Sequence, residues 1–346
     1  MRQEKIRTIH YGIGAVGAEV VRLALDRLDV EIVGAIDAYP AKAGKDLGEA
    51  VGLARSLGIS VTYDADLVLK DSFADVVIHA TGSSLTTVYP QILQIVSSEK
   101  SVVSSCEELS FPWARYPDIA QKLDRRAREV GVRILGTGVN PGFVMDSLPL
   151  LLATASQQVK SVRATRVVDV GMRRMQLQTK VGVGLSVQGF KQGANNGTVG
   201  HVGLMESAFM IADTLGWRLD DLSETIEPVI AREKMETEYR RVDKGYVAGL
   251  RQTVSGRAAD REVIYLELQM SLSAPNPRDE ITIDGRPPIK IVIPAGVQGD
   301  PATAAIMVNC LPAIANSRSV GLLSMRDMNL VPYLRPRPRV REELTG

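Results

Sequence analysis

Tyr11-Gly12-Ile13-Gly14-Ala15-Val16-Gly17 is the stretch of this chain that decides its fold. A short segment rich in β-forming residues, Ile6–Tyr11, precedes the first glycine, and apolar residues recur at helical spacing over 15–28. Glycines spaced in this way permit a tight turn, a close approach of backbone to a pyrophosphate, and close packing of helix on strand. Unpaired N–H groups at the start of the helix also favour negative charge. The pattern predicts a dinucleotide site whose contacts are Gly12, Gly14, Ala15, Val16 and Gly17.

An acidic residue follows the second predicted strand. That strand, residues 30–36, ends at Asp37, twenty positions after Gly17. A carboxylate at this place can accept both hydroxyls of a ribose and would repel a 2′-phosphate. The sequence therefore predicts NAD(H) rather than NADP(H), a preference that Lys42 and Lys45 would soften. The alternative, a glycine-rich turn followed by a surface aspartate, is disfavoured by the complete order of strand, turn, helix, strand and acid.

Length, charge and cysteine content narrow the class of protein. The chain has 346 residues, which favours two domains over one core. Its 41 basic and 40 acidic residues give a net charge of +1, so nothing favours binding to nucleic acid or to a membrane surface. Two cysteines provide neither a disulfide framework nor a CxxC metal site. With no signal-peptide pattern and no long apolar run, the expectation is a soluble, cytoplasmic protein.

Short apolar strands alternate with amphipathic helices up to residue 136. Further strands are predicted at 59–61, 73–80, 101–105 and 133–136, and helices at 86–96 and 118–130. This alternation is typical of a parallel sheet with right-handed crossovers, so the predicted fold class is α/β with a Rossmann-type, doubly wound sheet. Ligands of such sheets bind beyond the carboxyl ends of the strands. That rule places Thr81-Gly82-Ser83 and Cys106-Glu107-Glu108 beside the cofactor.

The organisation changes near residues 137–145, where Pro and Gly interrupt the pattern. Strands are predicted at 162–170, 176–185, 263–271 and 290–293, a polar loop at 191–203, and helices at 205–215 and from 302 to about 315. The expected second domain is α+β with a mixed or antiparallel sheet. The predicted division is a dinucleotide-binding domain over 1–144, to which 302–346 return, and a substrate and dimerisation domain over 145–301.

Two adjacent acids after a buried strand are the main catalytic candidates. A carboxylate at Glu107 or Glu108 could hold a substrate ammonium beside the nicotinamide and take a proton from it. That proton must leave first, because the nitrogen lone pair drives hydride release as the iminium forms. Burial near Phe111 and Trp113 would tune such a base by raising its pKa. The alternative is two solvated loop glutamates in a position where they could cap the following segment.

Other polar residues carry weaker signals. Asn140 could contact nicotinamide or substrate, or be a turn residue before a proline. His201 could donate to substrate or relay a proton, or be an ordinary hydrogen-bonding loop residue. Arg173 and Arg174 could clamp a substrate carboxylate or be surface charge. Cys106 fits a small buried residue better than a nucleophile, and no Ser/His/Asp arrangement or metal-ligand cluster is visible.

Several segments resemble known enzyme families. The stretch 37–49 resembles the nucleotide-binding half of dihydrodipicolinate reductases. Four other stretches are similar to 2,4-diaminopentanoate dehydrogenases and the related native amine dehydrogenases. They are SCEELSFPW at 105–113, GTGVNPGFVMD at 136–146, GHVGL at 200–204 and GDPATAA at 299–305. The reductases' own active-site runs, His-His-x-x-Lys and Ser-Gly-Thr, are missing, which argues against that activity.

The resemblance implies NAD(P)-dependent oxidative deamination of an amine, reversible as reductive amination with ammonia. It implies a catalytic glutamate in the Cys-Glu-Glu stretch, assigned first to Glu108 with Glu107 in reserve, since the strand register could slip by one residue. It also implies a homodimer in which the sheet of the second domain covers the active site.

The substrate and two alternative functions stay open at this point. Phe143 and Met145 suggest an apolar pocket wall for a simple amine, whereas Arg173 or Arg174 would suit a diamino acid. An imine reductase or a hydroxy-acid oxidoreductase could use the same scaffold, and a protein that senses NAD(H) without turnover is a third alternative.

Overall fold

The computed structural model describes residues 5–328, which belong to two compact units. Within the described residues, the first unit comprises residues 5–138 and 299–328, and the second comprises residues 139–298. The sequence-based division placed the two domain boundaries at 144/145 and 301/302, a few residues further along the chain. The part of the predicted segment 302–346 that follows residue 328 lies outside the described residues.

The first unit contains a seven-stranded parallel sheet, as predicted. Its strands are β1 (Ile6–Tyr11), β2 (Val30–Ile36), β3 (Val61–Thr62), β4 (Val76–His79), β5 (Ser101–Ser104), β6 (Arg133–Gly136) and β15 (Gly321–Leu323). Their order across the sheet is β15-β6-β5-β4-β1-β2-β3. Every residue of β4 and β5 is buried, as expected for central strands covered on both faces. The carboxyl ends of β1, β4 and β5 therefore lie side by side.

Seven helices accompany this sheet within the described residues. They are α1 (Ala15–Leu25), α2 (Leu47–Ala50), α3 (Ala65–Asp71), α4 (Leu85–Ser97), α5 (Pro117–Val130), α10 (Gly299–Asn309) and α11 (Leu311–Asn316). The single helix predicted from residue 302 to about 315 was wrong in detail, because Cys310 separates α10 from α11 and Pro312 lies in the first turn of the second helix. The strand predicted from residue 73 begins only at Val76, and the Phe73 side chain is 83% exposed.

The second unit contains a mixed six-stranded sheet, which confirms the predicted fold class. Its strands are β7 (Ser161–Asp169), β8 (Asp221–Ile230), β11 (Val247–Ala258), β12 (Arg261–Ser271), β13 (Arg278–Asp284) and β14 (Ile289–Pro294). The order is β14-β13-β7-β12-β11-β8, and only the β7–β12 pair is parallel. Two short strands, β9 (Met235–Glu236) and β10 (Arg241–Val242), pair separately.

Four helices belong to the second unit, and two of them correct the sequence-based prediction. They are α6 (Ser147–Ala153), α7 (Met175–Lys180), α8 (Val187–Asn195) and α9 (Leu204–Thr214). The strand predicted at 176–185 was wrong, because the chain forms α7 and then turns through Gly182 and Gly184 at positive φ. The predicted polar loop at 191–203 begins inside α8.

Two features are absent from residues 5–328. None of their helices combines the length and the apolar character needed to cross a bilayer. No three of their His, Cys, Asp and Glu side chains are grouped so that they could hold a metal ion.

Candidate active site

Gly12 and Gly17 are required by the protein's own packing. Gly12 has φ +93, and a Cβ there would lie 2.5 Å from the Ala80 carbonyl oxygen. A Cβ on Gly17 would lie 1.9 Å from the Gly12 carbonyl oxygen. The turn between β1 and α1 can therefore pass close to the end of β4 only with glycine at both positions.

Gly14 is different, because no atom of residues 5–328 requires it to be glycine. It is the N-cap residue of α1, it is exposed, and a Cβ added to it would meet none of the described atoms within 4 Å. No described side chain caps α1, and the first turn of the helix has no acidic residue and contains the exposed Ala15 and the half-buried Val16. An uncapped helix start facing open space fits the phosphates of a dinucleotide.

Asp37 lies directly after β2 and contacts this glycine turn. Its Oδ2 accepts a hydrogen bond from the Ile13 N–H at 2.6 Å, and its Oδ1 accepts one from the Tyr39 N–H at 2.8 Å. The Lys42 ammonium donates to the Ile13 carbonyl and lies 3.9 Å from Asp37 Oδ2. Lys45 instead pairs with Glu49 at 2.8 Å. Of the two lysines considered in the sequence, only Lys42 is thus placed beside the acid.

Glu108 is a buried carboxylate held on both oxygens. It lies in a short 3-10 turn, Glu107–Leu109, just beyond β5, and is 7% exposed. The N–H of Leu85, the first residue of α4, donates to its Oε2 at 2.7 Å, and the Tyr116 hydroxyl donates to its Oε1 at 2.7 Å. The interpretation of Glu108 as a solvated loop residue was therefore wrong, and the helix that it caps is the earlier α4. Glu107 is half-buried.

Sequence reasoning missed Tyr116, and no local signal would have identified it. Tyr116 precedes Pro117, the first residue of α5, eight positions after Glu108.

Cys106 is a buried residue of the same turn region and is 1% exposed. Its thiol donates to the Ser83 carbonyl at 3.2 Å, and burial raises its pKa to about 12. Such a thiol is not a nucleophile near neutral pH.

In the second unit, Asn140 has an unsatisfied side chain. It is 6% exposed, and its Oδ1 and Nδ2 are both buried without a hydrogen-bond partner among the described residues. The neighbouring backbone is fixed by Asp146, which accepts hydrogen bonds from Gly142 N–H at 2.7 Å, from Ser147 N–H, and from the Ser207 hydroxyl at 2.7 Å. A buried amide with no partner is costly unless a ligand completes it.

His201 also has an unsatisfied ring atom. Gln252 holds its backbone at both ends, accepting from the His201 N–H at 2.8 Å and donating to its carbonyl at 2.8 Å. Its Nδ1 is buried and has no partner among the described residues. Burial first, then the positive charges of Lys180 and Arg166, lowers its pKa to about 3, so the imidazole is neutral at pH 7.

The other predicted substrate residues of the second unit differ in accessibility. Phe143 and Arg173 are half-buried, Arg174 is the half-buried N-cap residue of α7, and Met145 has no exposed surface. Arg166, which sequence reasoning did not single out, is almost fully buried; its guanidinium donates to both oxygens of Asp279 at 2.8 Å. This buried ion pair holds the Arg166 guanidinium in one place within the second unit.

The chain is similar over most of its length to known dehydrogenases. A family model described as 2,4-diaminopentanoate dehydrogenase C-terminal domain matches residues 143–337, and one described as dihydrodipicolinate reductase, N-terminus, matches residues 6–105. The 2,4-diaminopentanoate dehydrogenase of Acetoanaerobium sticklandii is 32% identical over 344 residues, with 94% of each chain covered. An amine dehydrogenase of Streptomyces virginiae is 29% identical over 47% of this chain and 46% of its own. The solved amine dehydrogenase from Mycobacterium smegmatis superposes with a TM-score of 0.85 and 26% identity, covering 97% of this chain and 98% of that one.

Proposed function

The chain belongs to the 2,4-diaminopentanoate dehydrogenase family, and from this premise we propose that it is an NAD(P)-dependent amine dehydrogenase. It converts an amine and water to a ketone or aldehyde plus ammonia, because the oxidised nicotinamide takes a hydride and water then attacks the iminium, and it runs in reverse as a reductive amination. The observation that carries the proposal is the carboxylate of Glu108, buried at the carboxyl end of β5 and held by two hydrogen-bond donors.

Glu108 is proposed to bind the substrate ammonium and to accept its proton. Each carboxylate oxygen accepts one hydrogen bond in the structure, and each has a second lone pair that can accept a hydrogen bond from an ammonium group. Removal of the proton leaves the nitrogen lone pair able to form the iminium as hydride departs. In the amination direction Glu108 returns the proton to the new amine.

The cofactor is proposed to lie along the carboxyl ends of β1, β2 and β4. The nicotinamide ring, when bound, accepts or supplies the hydride. The phosphates of the dinucleotide fit the uncapped start of α1 at Gly14, Ala15 and Val16, beside the close-packed Gly12 and Gly17. The remaining proposed contacts are Asp37 for a ribose, Thr81 and Gly82 after β4, and Asn140. Because Asn140 has both a donor and an acceptor unpaired, it matches a carboxamide group, which needs one of each.

Substrate contacts are proposed for Phe143, Met145, Arg173 and His201 in the second unit. The neutral His201, with an unpartnered Nδ1, offers a hydrogen bond rather than a charge. Phe143 offers apolar surface and Arg173 a positive charge. The substrate is therefore either a simple amine or a diamino acid, and a panel of ketones and keto acids would distinguish the two.

The first test is whether NADH oxidation requires ammonia. The purified protein is expected to oxidise NADH only when a ketone or aldehyde and ammonia are both present, because the carbon that receives hydride is that of an iminium. Absorbance of NADH, followed with and without ammonia, measures this. Oxidation that does not depend on ammonia would indicate an imine reductase or hydroxy-acid oxidoreductase, and binding without oxidation would indicate a sensor.

Asp37 is proposed to make the enzyme prefer NADH. Replacing Asp37 with serine is expected to lower the preference for NADH over NADPH by at least about tenfold, because a charge that repels the 2′-phosphate is removed and the nearby Lys42 ammonium remains. The measurement is kcat/KM with each cofactor. Lys45→Ala is the matched control, since Lys45 pairs with Glu49 and should leave the ratio unchanged. An unchanged ratio in Asp37→Ser would contradict the assignment.

Two further statements stay predictions from the sequence. They are the homodimer, which sedimentation of the purified protein would test, and the cytoplasmic location.

A further inference from the structure

Four polar side chains form a hydrogen-bonded network at the carboxyl ends of β4 and β5. His79, the last residue of β4, is fully buried; its Nδ1 lies 2.9 Å from the Ser104 hydroxyl, and its Nε2 lies 2.8 Å from Gln91 Oε1 and 2.8 Å from the Thr81 hydroxyl. The Thr81 hydroxyl also donates to Gln91 Oε1 at 2.6 Å. Ser104 ends β5, and Gln91 lies on α4.

The partners in this network show which ring nitrogen of His79 carries the proton. Gln91 Oε1 can only accept, so His79 carries its proton on Nε2 and shares it with Gln91 and Thr81. Nδ1 then has a lone pair that accepts the Ser104 hydroxyl proton. Burial lowers the pKa of His79 to about 4, so the ring is neutral at working pH. Every polar atom of the ring thus has a partner.

The network reaches the backbone of the proposed catalytic turn. The Ser104 oxygen accepts a hydrogen bond from the Cys106 N–H at 3.1 Å. The Ser83 carbonyl, just beyond Thr81 and Gly82, accepts from the Cys106 thiol at 3.2 Å and from the Glu108 N–H at 3.3 Å. We define residues 80–82 as the cofactor segment and residues 105–108 as the catalytic segment. His79 is bonded to the first through Thr81 and to the second through Ser104.

We propose that His79 is a positioning residue that holds the cofactor segment through Thr81 and the catalytic segment through Ser104. The inference rests on the proposed function, because it takes Thr81 as a cofactor contact and Glu108 as the base. Its physical basis is that the imidazole donates on one side and accepts on the other, so that each segment has its own hydrogen bond to one rigid ring. Loss of the bond to Thr81 frees a segment that binds the cofactor, whereas loss of the bond to Ser104 frees the turn that carries Glu108, and the rate depends steeply on the distance and angle between reacting groups.

Variants of His79 separate the two connections. His79→Asn can place its amide oxygen near the position of Nδ1 and keep the bond from Ser104, while losing the bonds to Gln91 and Thr81. His79→Gln can place its amide nitrogen near Nε2 and keep those bonds, while losing Ser104. We expect His79→Asn to raise the Kd for NADH by about tenfold with kcat little changed, and His79→Gln to lower kcat by about tenfold with the Kd little changed. His79→Leu is expected to show both effects.

His10 supplies the matched control. It is 1% exposed in the neighbouring strand β1, and within residues 5–328 its ring has one hydrogen-bonding contact, with the Thr8 hydroxyl at 3.3 Å. His10→Leu is expected to lower the melting temperature and to leave kcat and the Kd for NADH at wild-type values. Binding is measured by NADH fluorescence, which needs no turnover, and kcat by NADH oxidation at saturating substrate.

The proposal is overturned if His79→Leu folds and keeps wild-type kcat and Kd. It is also overturned if the asparagine and glutamine variants change both quantities alike, since a purely structural role predicts no division between them. Failure of the proposed function has a different signature, which is NADH oxidation that does not depend on ammonia, or NADH binding without oxidation, in the wild-type protein.

Discussion

Glu108→Gln is expected to lower turnover by about a thousandfold or more while leaving the affinity for NADH close to wild type. Glutamine has nearly the same shape, and its amide oxygen can still accept the Leu85 N–H that caps α4. The Tyr116 hydroxyl can rotate to accept from the new amide group. The fold is therefore retained, but the side chain can neither pair with an ammonium nor take its proton. NADH oxidation with ketone and ammonia measures the first quantity, and NADH fluorescence the second.

Glu107→Gln is the matched control for this result. The two acids are adjacent in one turn, yet Glu107 is half-buried and Glu108 is 7% exposed. We expect Glu107→Gln to keep most of the wild-type turnover. If Glu107→Gln abolished turnover and Glu108→Gln did not, the catalytic carboxylate would be Glu107. If both variants remained active, neither acid would be the base and the proposed amine chemistry would have to be abandoned.

The difference between these two acids shows where sequence reasoning reaches its limit. The position of both after a buried strand could be predicted, because strand β5 and its end are local features of the chain. Which acid turns inward depends on the Leu85 N–H, 23 residues earlier, and on Tyr116. Neither donor is recognisable from spacing, since any helix start and any tyrosine could supply one.

The second unit shows the same limit at the level of its fold. A separate sheet of mixed or antiparallel strands could be predicted, but the strands β8, β11 and β13 were not identified. The sheet pairs segments that are far apart, such as Ile264 with Val162, so no local pattern specifies it. Residues 176–185 contain valines and a threonine, which favour a strand, yet they begin with helix α7. The Gln178 amide there lies within hydrogen-bond distance of three backbone carbonyls, those of Val170, Gly171 and Arg173, and so ties α7 to the turn that precedes it.

The glycine turn, by contrast, was predicted as a motif, and the structure assigns different roles to its glycines. Gly12 and Gly17 are closed in by backbone atoms, whereas the space around Gly14 is open. The spacing of the motif alone does not distinguish the roles of the three glycines. Only the positions of the Ala80 and Gly12 carbonyls distinguish the glycines needed for folding from the one available to a ligand.

Gly14→Val and Gly17→Ala are therefore expected to fail in opposite ways. Gly14 has φ −69 and ψ −166, an extended backbone conformation that valine adopts readily, so this variant should fold and melt near the wild-type temperature. Its branched side chain would occupy the space proposed for the pyrophosphate, and we expect the Kd for NADH to rise at least about tenfold. Gly17→Ala places a methyl group 1.9 Å from a backbone oxygen and should lose on the order of 3 kcal/mol of unfolding free energy. Thermal melts and NADH fluorescence on both variants decide the matter: a Gly14→Val protein that binds NADH like wild type would show that the phosphates do not lie at the start of α1.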